Sequence, residues 1–243
     1  MNRILLFISI LPSLALCQEL AKYIPSSFEL KNAPVASKPF SKAILHGPRT
    51  EKRIALTFDA CATLHRSRYD SSIVKALLTT NTPATLFLCG KWAIEHIKET
   101  RYLSRQPLFE IGNHSFIHPH LLKVTAARMK EELTLTQDIL FTISGKVPAL
   151  FRSPYGEISD SIVHCGALLG LKTIQYDLAS GDPDTSISAK KLIEYVSTTA
   201  KNGSIIVMHM NKRGWHTAEA LPEIIDRLRE RGFIFVKVSE LVQ

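Results

Sequence analysis

The feature that most constrains the fold is a regular alternation of short apolar runs with segments of helical periodicity. Strand-like runs occupy residues 53–58, 84–88, 109–111, 149–151, 172–176, 204–208 and 232–236. Helix-like segments occupy residues 70–80, 125–141, 188–200 and 218–231, and Asp70, Thr125 and Ser188 are suited to cap three of them. This alternation predicts parallel strands joined by right-handed crossovers, hence an α/β barrel or a doubly wound sheet.

The chain divides into three predicted segments. Residues 1–17 resemble a signal peptide, because Arg3 precedes an apolar run that is too short to span a membrane. Cleavage after Cys17 and soluble export, to the periplasm or the exterior, are favoured over lipidation at Cys17; an anchor helix or a buried segment are the alternatives. Residues 18–50, rich in Pro, Ser and Lys, predict an extended leader. Residues 51–243 predict one domain, since no repeat or internal linker interrupts them.

Charge and cysteine content limit the partners and the covalent links. The formal net charge is +8, but the basic residues are scattered, which indicates a solvated surface and not a nucleic-acid site. Three cysteines follow the signal sequence, namely Cys61, Cys89 and Cys165. Because Cys61 and Cys89 stand just beyond consecutive strand-like runs, we expect them to form a disulfide. Cys61 as a metal ligand is the less favoured alternative.

Reactive side chains follow most of the strand-like runs. In parallel α/β folds the carboxyl ends of the strands converge, so side chains at these ends are expected to meet. The residues that matter here are Asp59, His114, His118, Arg152, Asp182 and His209. They predict a site at one edge of the sheet.

Each of these residues also has an ordinary structural interpretation. His114 and His118 have a spacing that suits one metal ion, although paired loop histidines are often just polar surface. Arg152 either pins the carboxylate of Asp59 or is solvated on a loop. His209 is a general acid or a buried structural histidine, and Asp177, Asp182 or Asp184 is available to orient it.

Taken in order, the motifs resemble a known family. Asp59, His114 with His118, "RSPYG", Asp182 and "MHM" are similar to the motifs of the polysaccharide deacetylases, carbohydrate esterase family 4, with its NodB-type homology domain. The resemblance covers about residues 50–243. It implies a distorted (β/α)7 barrel and metal-assisted removal of N-acetyl groups from amino sugars.

The resemblance also implies roles for individual residues. Asp59 matches the catalytic base and Arg152 the residue that orients it. His209 matches the histidine that protonates the leaving amine, and Asp182 the acid that tunes this histidine.

Metal and substrate contacts follow from the same comparison of motifs. His114 and His118 match metal ligands, with zinc as the expected ion. Pro154 and Tyr155 fall where the family binds substrate, and Tyr155 stands where a backbone amide lies near the developing oxyanion.

Two departures from the family pattern concern the metal and the acetyl group. Ala60 replaces the aspartate that normally supplies the third protein ligand, and Pro183 replaces a tryptophan, for which Trp215 is a candidate substitute. We expect zinc held weakly, with water completing the site. The alternatives are that the site works without metal or that a further side chain joins it. Candidates for that further ligand are Cys61, His65, Asp70 and His216.

The sequence therefore predicts an exported, monomeric hydrolase without a membrane span in its mature form. Its expected substrate is an acetylated glycan such as peptidoglycan or a chitin-like polymer. One alternative is a catalytically weak carbohydrate-binding or scaffold protein, which Ala60 favours. The other is a metal-independent hydrolase of a cyclic amide on the same fold.

Overall fold

Eight short parallel strands form the centre of the molecule. The computed structural model describes residues 22–35, 42–62, 65 and 67–243, so the predicted signal peptide with Cys17 lies outside the described residues. The strands are β1 Arg53–Ala60, β2 Ala84–Leu88, β3 Phe109–Asn113, β4 Leu150–Phe151, β5 Lys172–Thr173, β6 Leu178–Ala179, β7 Ile205–His209 and β8 Ile234–Phe235.

The strands curl into a half-barrel in the order β5-β4-β3-β2-β1-β7-β6, and β8 pairs with the start of β1. The flanking helices are α1 Ser71–Thr79, α2 Gly90–Glu95, α3 Ile97–Arg105, α4 Ala126–Ser144, α5 Asp160–Leu168, α6 Ala189–Thr199, α7 Thr217–Glu230 and α8 Val238–Leu241. The predicted (β/α)7 barrel of NodB type is thus confirmed.

The local sequence explains where the main helices begin and end. The side chains of Asp70, Thr125 and Ser188 each accept a backbone N–H from the first turn, as the sequence predicted. The longest helix, α4, ends at Gly145, whose φ of 71° lies in the left-handed region that favours glycine. Helices α2, α3, α5 and α8 were not predicted from the sequence, and none of them is longer than nine residues.

The two faces of β1 have different surroundings. Successive side chains of a strand point to opposite faces, and β1 is buried on both. Ile54, Leu56, Phe58 and Ala60 pack into the large apolar cluster with the helices. Ala55, on the other face, belongs to a smaller cluster that includes Ile174 next to β5 and Val238 of α8. This second face of β1 also carries residues 57 and 59, which therefore point towards the interior of the half-barrel.

Parts of the predicted leader pack against the domain. Ile44 pairs with Ile174 and His46 with Ser204 in isolated β-bridges. The backbone N–H of Ala33 donates to Asp138 of α4 at 2.7 Å. No helix among the described residues combines the length and the apolar character needed to cross a membrane.

Candidate active site

Two aligned strand ends place a carboxylate beside an imidazole. Asp59 at the end of β1 and His209 at the end of β7 are register partners in the parallel pair. Neighbouring strands lie about 4.8 Å apart, and paired residues point to the same face. The strand pairing alone thus sets these two side chains next to each other at the carboxyl edge of the sheet.

Asp59 is held by a buried ion pair with Arg152, which follows β4. The Arg152 guanidinium donates to Asp59 Oδ1 at 2.8 Å, to Thr57 Oγ1 at 2.7 Å and to the Gln175 carbonyl at 3.1 Å. Burial raises the pKa of Asp59, but the charges of Arg152, His114 and His209 outweigh burial and hold the pKa below its ordinary value. The carboxylate is therefore ionised at neutral pH.

His209 is bound by the carboxylate of Asp182. Asp182 Oδ1 contacts His209 Nδ1 at 2.8 Å, and Oδ2 accepts the backbone N–H of His209 at 2.7 Å and the Thr217 hydroxyl at 2.6 Å. Burial lowers the pKa of His209, but the bond to Asp182 and the nearby Cys61 thiol outweigh it and hold the pKa well above its ordinary value. The imidazole is thus kept in its protonated, donating form.

A second group of donors lies beside Asp59. The ligand atoms of Cys61, His114 and His118 all lie within 4.8 Å of one another. His114 Nε2 is 3.6 Å from Asp59 Oδ2 and 3.7 Å from Cys61 Sγ. Asp59 itself is not part of the group of three.

These three side chains have the chemistry that a divalent cation requires. Two imidazoles and a thiolate are ligands typical of zinc. Burial lowers the pKa of His114, but Asp59 and Cys61 raise it above its ordinary value, so this position favours a positive charge. Burial raises the pKa of Cys61, but hydrogen bonds from His114, His118 and His209 hold it well below the ordinary value. The donor set therefore fits the metal that the family implies.

The loop that carries the two histidines has an unusual backbone. Ser115 and His118 have φ values of 62° and 63°, in the left-handed region that costs non-glycine residues energy. The backbone N–H groups of Phe116 and Ile117 donate to Glu132 of α4 at 2.8 and 2.9 Å. Glu132 is fully buried and thus anchors the middle of this loop.

The predicted disulfide between Cys61 and Cys89 is wrong, because both cysteines are free thiols. The Cys89 Sγ donates to the His114 carbonyl at 3.1 Å, whereas Cys61 Sγ faces the His114 ring. The two sulfurs thus contact different groups of the same histidine, its backbone carbonyl and its ring.

Tyr155 and His120 form an aromatic wall beside His118. The rings of His120 and Tyr155 are stacked at 3.8 Å, and Tyr155 meets His118 edge-on at 4.5 Å. His120 Nδ1 contacts Glu157 at 2.7 Å, so this histidine does not join the donor group. Tyr155 has a φ of 57°, and Pro154 before it is buried.

A cleft of about 290 Å³ opens over the donors and the ion pair. This volume lies near the lower end for small-molecule sites, about 300 Å³. Its wall includes Tyr155, Pro183 and Arg213. Arg213 was not predicted from the sequence as a site residue. Trp215 is 58% exposed and does not line the cleft, but its Nε1 donates to the Pro183 carbonyl at 3.2 Å. Trp215 therefore stands at the rim.

The other candidate ligands lie apart from the donor group. Asp70 caps α1 and pairs with Lys212 at 2.8 Å, and His216 contacts Glu219 at 3.2 Å. His65 is exposed and lines a neighbouring groove. Among the three aspartates considered for orienting His209, Asp182 takes that position, while Asp177 binds Arg49 at 2.6 Å.

Some contributors to the site had weak signals in the sequence. A side chain on Gly214 would collide with Asp182 and Thr217, so the glycine in "KRGWHT" marks a close approach to the carboxylate. The spacing from Glu132 to its loop partners, 16 and 15 residues, belongs to no local motif.

Comparisons with known proteins agree with this geometry. The family model for polysaccharide deacetylase matches residues 46–174. Peptidoglycan-N-acetylglucosamine deacetylase of Bacillus cereus is 27% identical over 231 residues, which cover 91% of this chain and 82% of that enzyme. Peptidoglycan-N-acetylmuramic acid deacetylase PdaC of Bacillus subtilis is 31% identical over 195 residues, covering 79% of this chain but only 39% of that protein.

A solved structure extends the agreement to three dimensions. The crystal structure of a peptidoglycan N-acetylglucosamine deacetylase matches with a TM-score of 0.74 at 27% identity, covering 83% of this chain and 92% of that one. The matching stretch of the family model includes Asp59, His114, His118 and Arg152. The chain therefore belongs to the polysaccharide deacetylase family, which includes hydrolases that act on carbon–nitrogen amide bonds.

Proposed function

We propose that the protein is a metal-dependent N-deacetylase that removes acetyl groups from the amino sugars of peptidoglycan. The observation that carries this proposal is the placement of Asp59 and His209 side by side at two strand ends, with the donor group of Cys61, His114 and His118 next to them. Amide hydrolysis needs a base for water and an acid for the leaving amine, and these two residues are suited to those roles.

Asp59 is the proposed base. Its Oδ1 is occupied by Arg152, which leaves Oδ2, on the side of His114, to accept a proton from the attacking water. Arg152 fixes the direction of the carboxylate and keeps it ionised, so it acts by positioning.

His209 is the proposed acid. Asp182 binds Nδ1, so Nε2 remains to donate a proton to the departing amine of the sugar. Thr217 and the backbone of His209 occupy the other oxygen of Asp182, which prevents that carboxylate from turning into the cleft.

The metal is expected to be zinc. His114 and His118 are proposed to hold it, as the sequence motifs implied. When bound, a divalent cation polarises the acetamide carbonyl and an attacking water as a Lewis acid. The positive charge of Arg152 is already committed to Asp59, so it is not available for that role.

The glycan is proposed to bind across the cleft rim. Tyr155 supplies one wall, with its backbone near the expected oxyanion and the buried Pro154 fixing the turn before it, and Trp215 supplies an exposed aromatic face at the rim. Arg213 adds a positive charge that suits the carboxylates of peptidoglycan, which chitin lacks. This charge and the activities of the relatives favour peptidoglycan as the substrate.

The setting of the enzyme follows from its substrate. We propose that residues 1–17 direct export, that 18–50 form a leader to a catalytic domain of 51–243, and that the mature protein acts as a monomer outside the cytoplasm. Peptidoglycan is found in that location.

The test measures acetate release from peptidoglycan and from acetylated chitooligosaccharides, with zinc-loaded and metal-stripped full-length protein. Asp59→Asn keeps the size of the side chain but removes the base, so we expect kcat to fall by about 10²–10⁴-fold. Glu223→Gln, on an exposed pair of α7, is the control and should leave kcat unchanged. Equal acetate release by wild type and Asp59→Asn would contradict the assignment.

One observation favours a second candidate, a catalytically weak carbohydrate-binding protein. Ala60 offers no donor atom, and it is buried in the apolar cluster with the helices. Glycan binding without acetate release in any metal form would support this candidate. Acetate release that survives removal of all metal would instead favour the metal-independent amide hydrolase.

A further inference from the structure

We propose that Cys61 supplies the third protein ligand to the metal, replacing the carboxylate that position 60 lacks. This inference deepens the proposed function, because it depends on a metal being bound. It assigns a Cys-His-His centre to the chain, formed by Cys61, His114 and His118.

The alternation of β1 places Cys61 on the correct face. Thr57 and Asp59 both contact Arg152 inside the half-barrel, whereas Ala60 packs outward against the helices. Side chains two residues apart along an extended chain share a face. Cys61 therefore continues the inner row of residues 57 and 59, and its thiol reaches the same histidine as Asp59 does.

The distances fit a shared ion. With a zinc–sulfur bond of about 2.3 Å, a zinc–nitrogen bond of about 2.05 Å and a tetrahedral angle, the two ligand atoms stand about 3.6 Å apart. Cys61 Sγ and His114 Nε2 are 3.7 Å apart. A plain hydrogen bond between thiol and imidazole would give a similar distance. What points to a shared ion is the third donor, because a ligand nitrogen of His118 also lies within 4.8 Å of both atoms.

The tautomer of His114 favours the same conclusion. His114 Nδ1 lies 2.9 Å from the Arg152 carbonyl, which can only accept, so Nδ1 carries the hydrogen. The lone pair of a neutral ring is then on Nε2, the atom that faces Cys61 and Asp59. Proteins usually orient a ligand histidine through a hydrogen bond from the ring nitrogen that does not bind the metal.

A cysteine thiolate in place of the aspartate leaves the net charge of the metal centre unchanged. A thiolate carries the same single negative charge as the aspartate that Ala60 replaces, so two imidazoles and one anion still surround the ion. Thiolate is a softer ligand than carboxylate and favours zinc over magnesium, calcium or manganese. Asp59 remains outside the ligand set and is free to act as a base.

The test uses cobalt as a spectroscopic probe in the metal-stripped full-length protein, kept reduced. Cobalt(II) should bind at one equivalent and produce a near-ultraviolet thiolate-to-cobalt charge-transfer band. Cys61→Ser should abolish the band and weaken zinc binding by at least about 100-fold, more than the loss of an outer partner of a ligand. Cys61→Asp should restore one equivalent of zinc without the band, which shows that the variant folds.

Two further cysteine variants serve as controls. Cys165→Ser alters a buried thiol of α5 outside the donor group, and it should keep the band at full strength. Cys89→Ser alters the thiol at the next strand end and should keep it as well. Persistence of the band in Cys61→Ser, or its loss only in Cys89→Ser, would overturn the assignment.

The outcomes separate this inference from the proposed function. A charge-transfer band without acetate release supports the Cys61 ligand and removes the deacetylase. Chelator-sensitive acetate release from wild type and Cys61→Ser alike supports the deacetylase and removes the Cys61 ligand.

Discussion

The two sides of the cleft are built in different ways. On the proton-transfer side, Asp59 and His209 stand on strands, and each is bound to a partner of opposite charge, Arg152 or Asp182. On the metal side, His114 and His118 stand on a loop that contains two left-handed residues. The first side follows from the strand register, whereas the second depends on contacts made from outside the loop.

The two sides therefore differ in the contacts that hold their side chains in place. The side-by-side placement of Asp59 and His209 is fixed by the same strand pairing that forms the sheet. A loop with unfavourable backbone angles persists only if its surroundings hold it, and here Glu132 binds two consecutive N–H groups of that loop. Substitutions on the two sides should therefore change different measured quantities, namely folding stability and catalysis on one side and metal affinity on the other.

The largest expected effect is on stability, at Arg152. Arg152→Met removes a fully buried cation and leaves Asp59 buried without a partner, so the free energy of unfolding should fall by about 3–5 kcal/mol. Urea unfolding monitored by circular dichroism measures this. Arg227→Met, which breaks an exposed pair of α7, is the control and should change stability by less than about 1 kcal/mol. Similar losses in the two variants would contradict the contrast.

The next effect concerns the pH dependence of turnover. His209 must be protonated to donate, so activity is present below its pKa and is lost as the pH rises through it. Asp182→Asn removes the negative charge that raises this pKa. The basic limb of the kcat profile should thus move to lower pH, and kcat on the plateau should fall by about 10²-fold. An unchanged basic limb would show that Asp182 does not set the protonation of His209.

The smallest effect is on the metal side, at Glu132. Glu132→Gln keeps the shape but weakens the acceptor for the Phe116 and Ile117 N–H groups and removes the charge that binds Arg128. Zinc affinity, measured by competition with a chromophoric chelator, should fall by about 10–100-fold. Unfolding of the metal-stripped form should be measured in parallel. A loss of stability with unchanged zinc affinity would mean that Glu132 supports the helix and not the loop.

The sequence predicted the proton-transfer side better than the metal side. Asp59, Arg152 and His209 follow strands, and parallel strands bring their carboxyl ends together whatever the details of the loops. Cys61 was assigned to a disulfide because Cys61 and Cys89 stand just beyond consecutive strand-like runs, while the alternation of side chains along β1 was not extended past Asp59. That alternation was the available signal.

Other features required the folded chain. Glu132 reaches its loop through the packing of α4, and no spacing rule connects residues that far apart. Helix α2 spans only six residues, too few for a helical period to be visible in its sequence. The strand predicted at 172–176 spans only Lys172–Thr173, and Ile174 beyond it forms an isolated bridge with Ile44 of the leader.

The position of Trp215 at the rim gives the protein a built-in optical reporter. The chain has two tryptophans, and the other, Trp92, is fully buried with its Nε1 bound to the Arg68 carbonyl at 3.0 Å. A soluble quencher such as acrylamide should therefore dim the emission of Trp215 and spare that of Trp92. A sugar that settles on the rim would shield Trp215, so glycan binding can be titrated by fluorescence on unlabelled protein, including variants that no longer turn over.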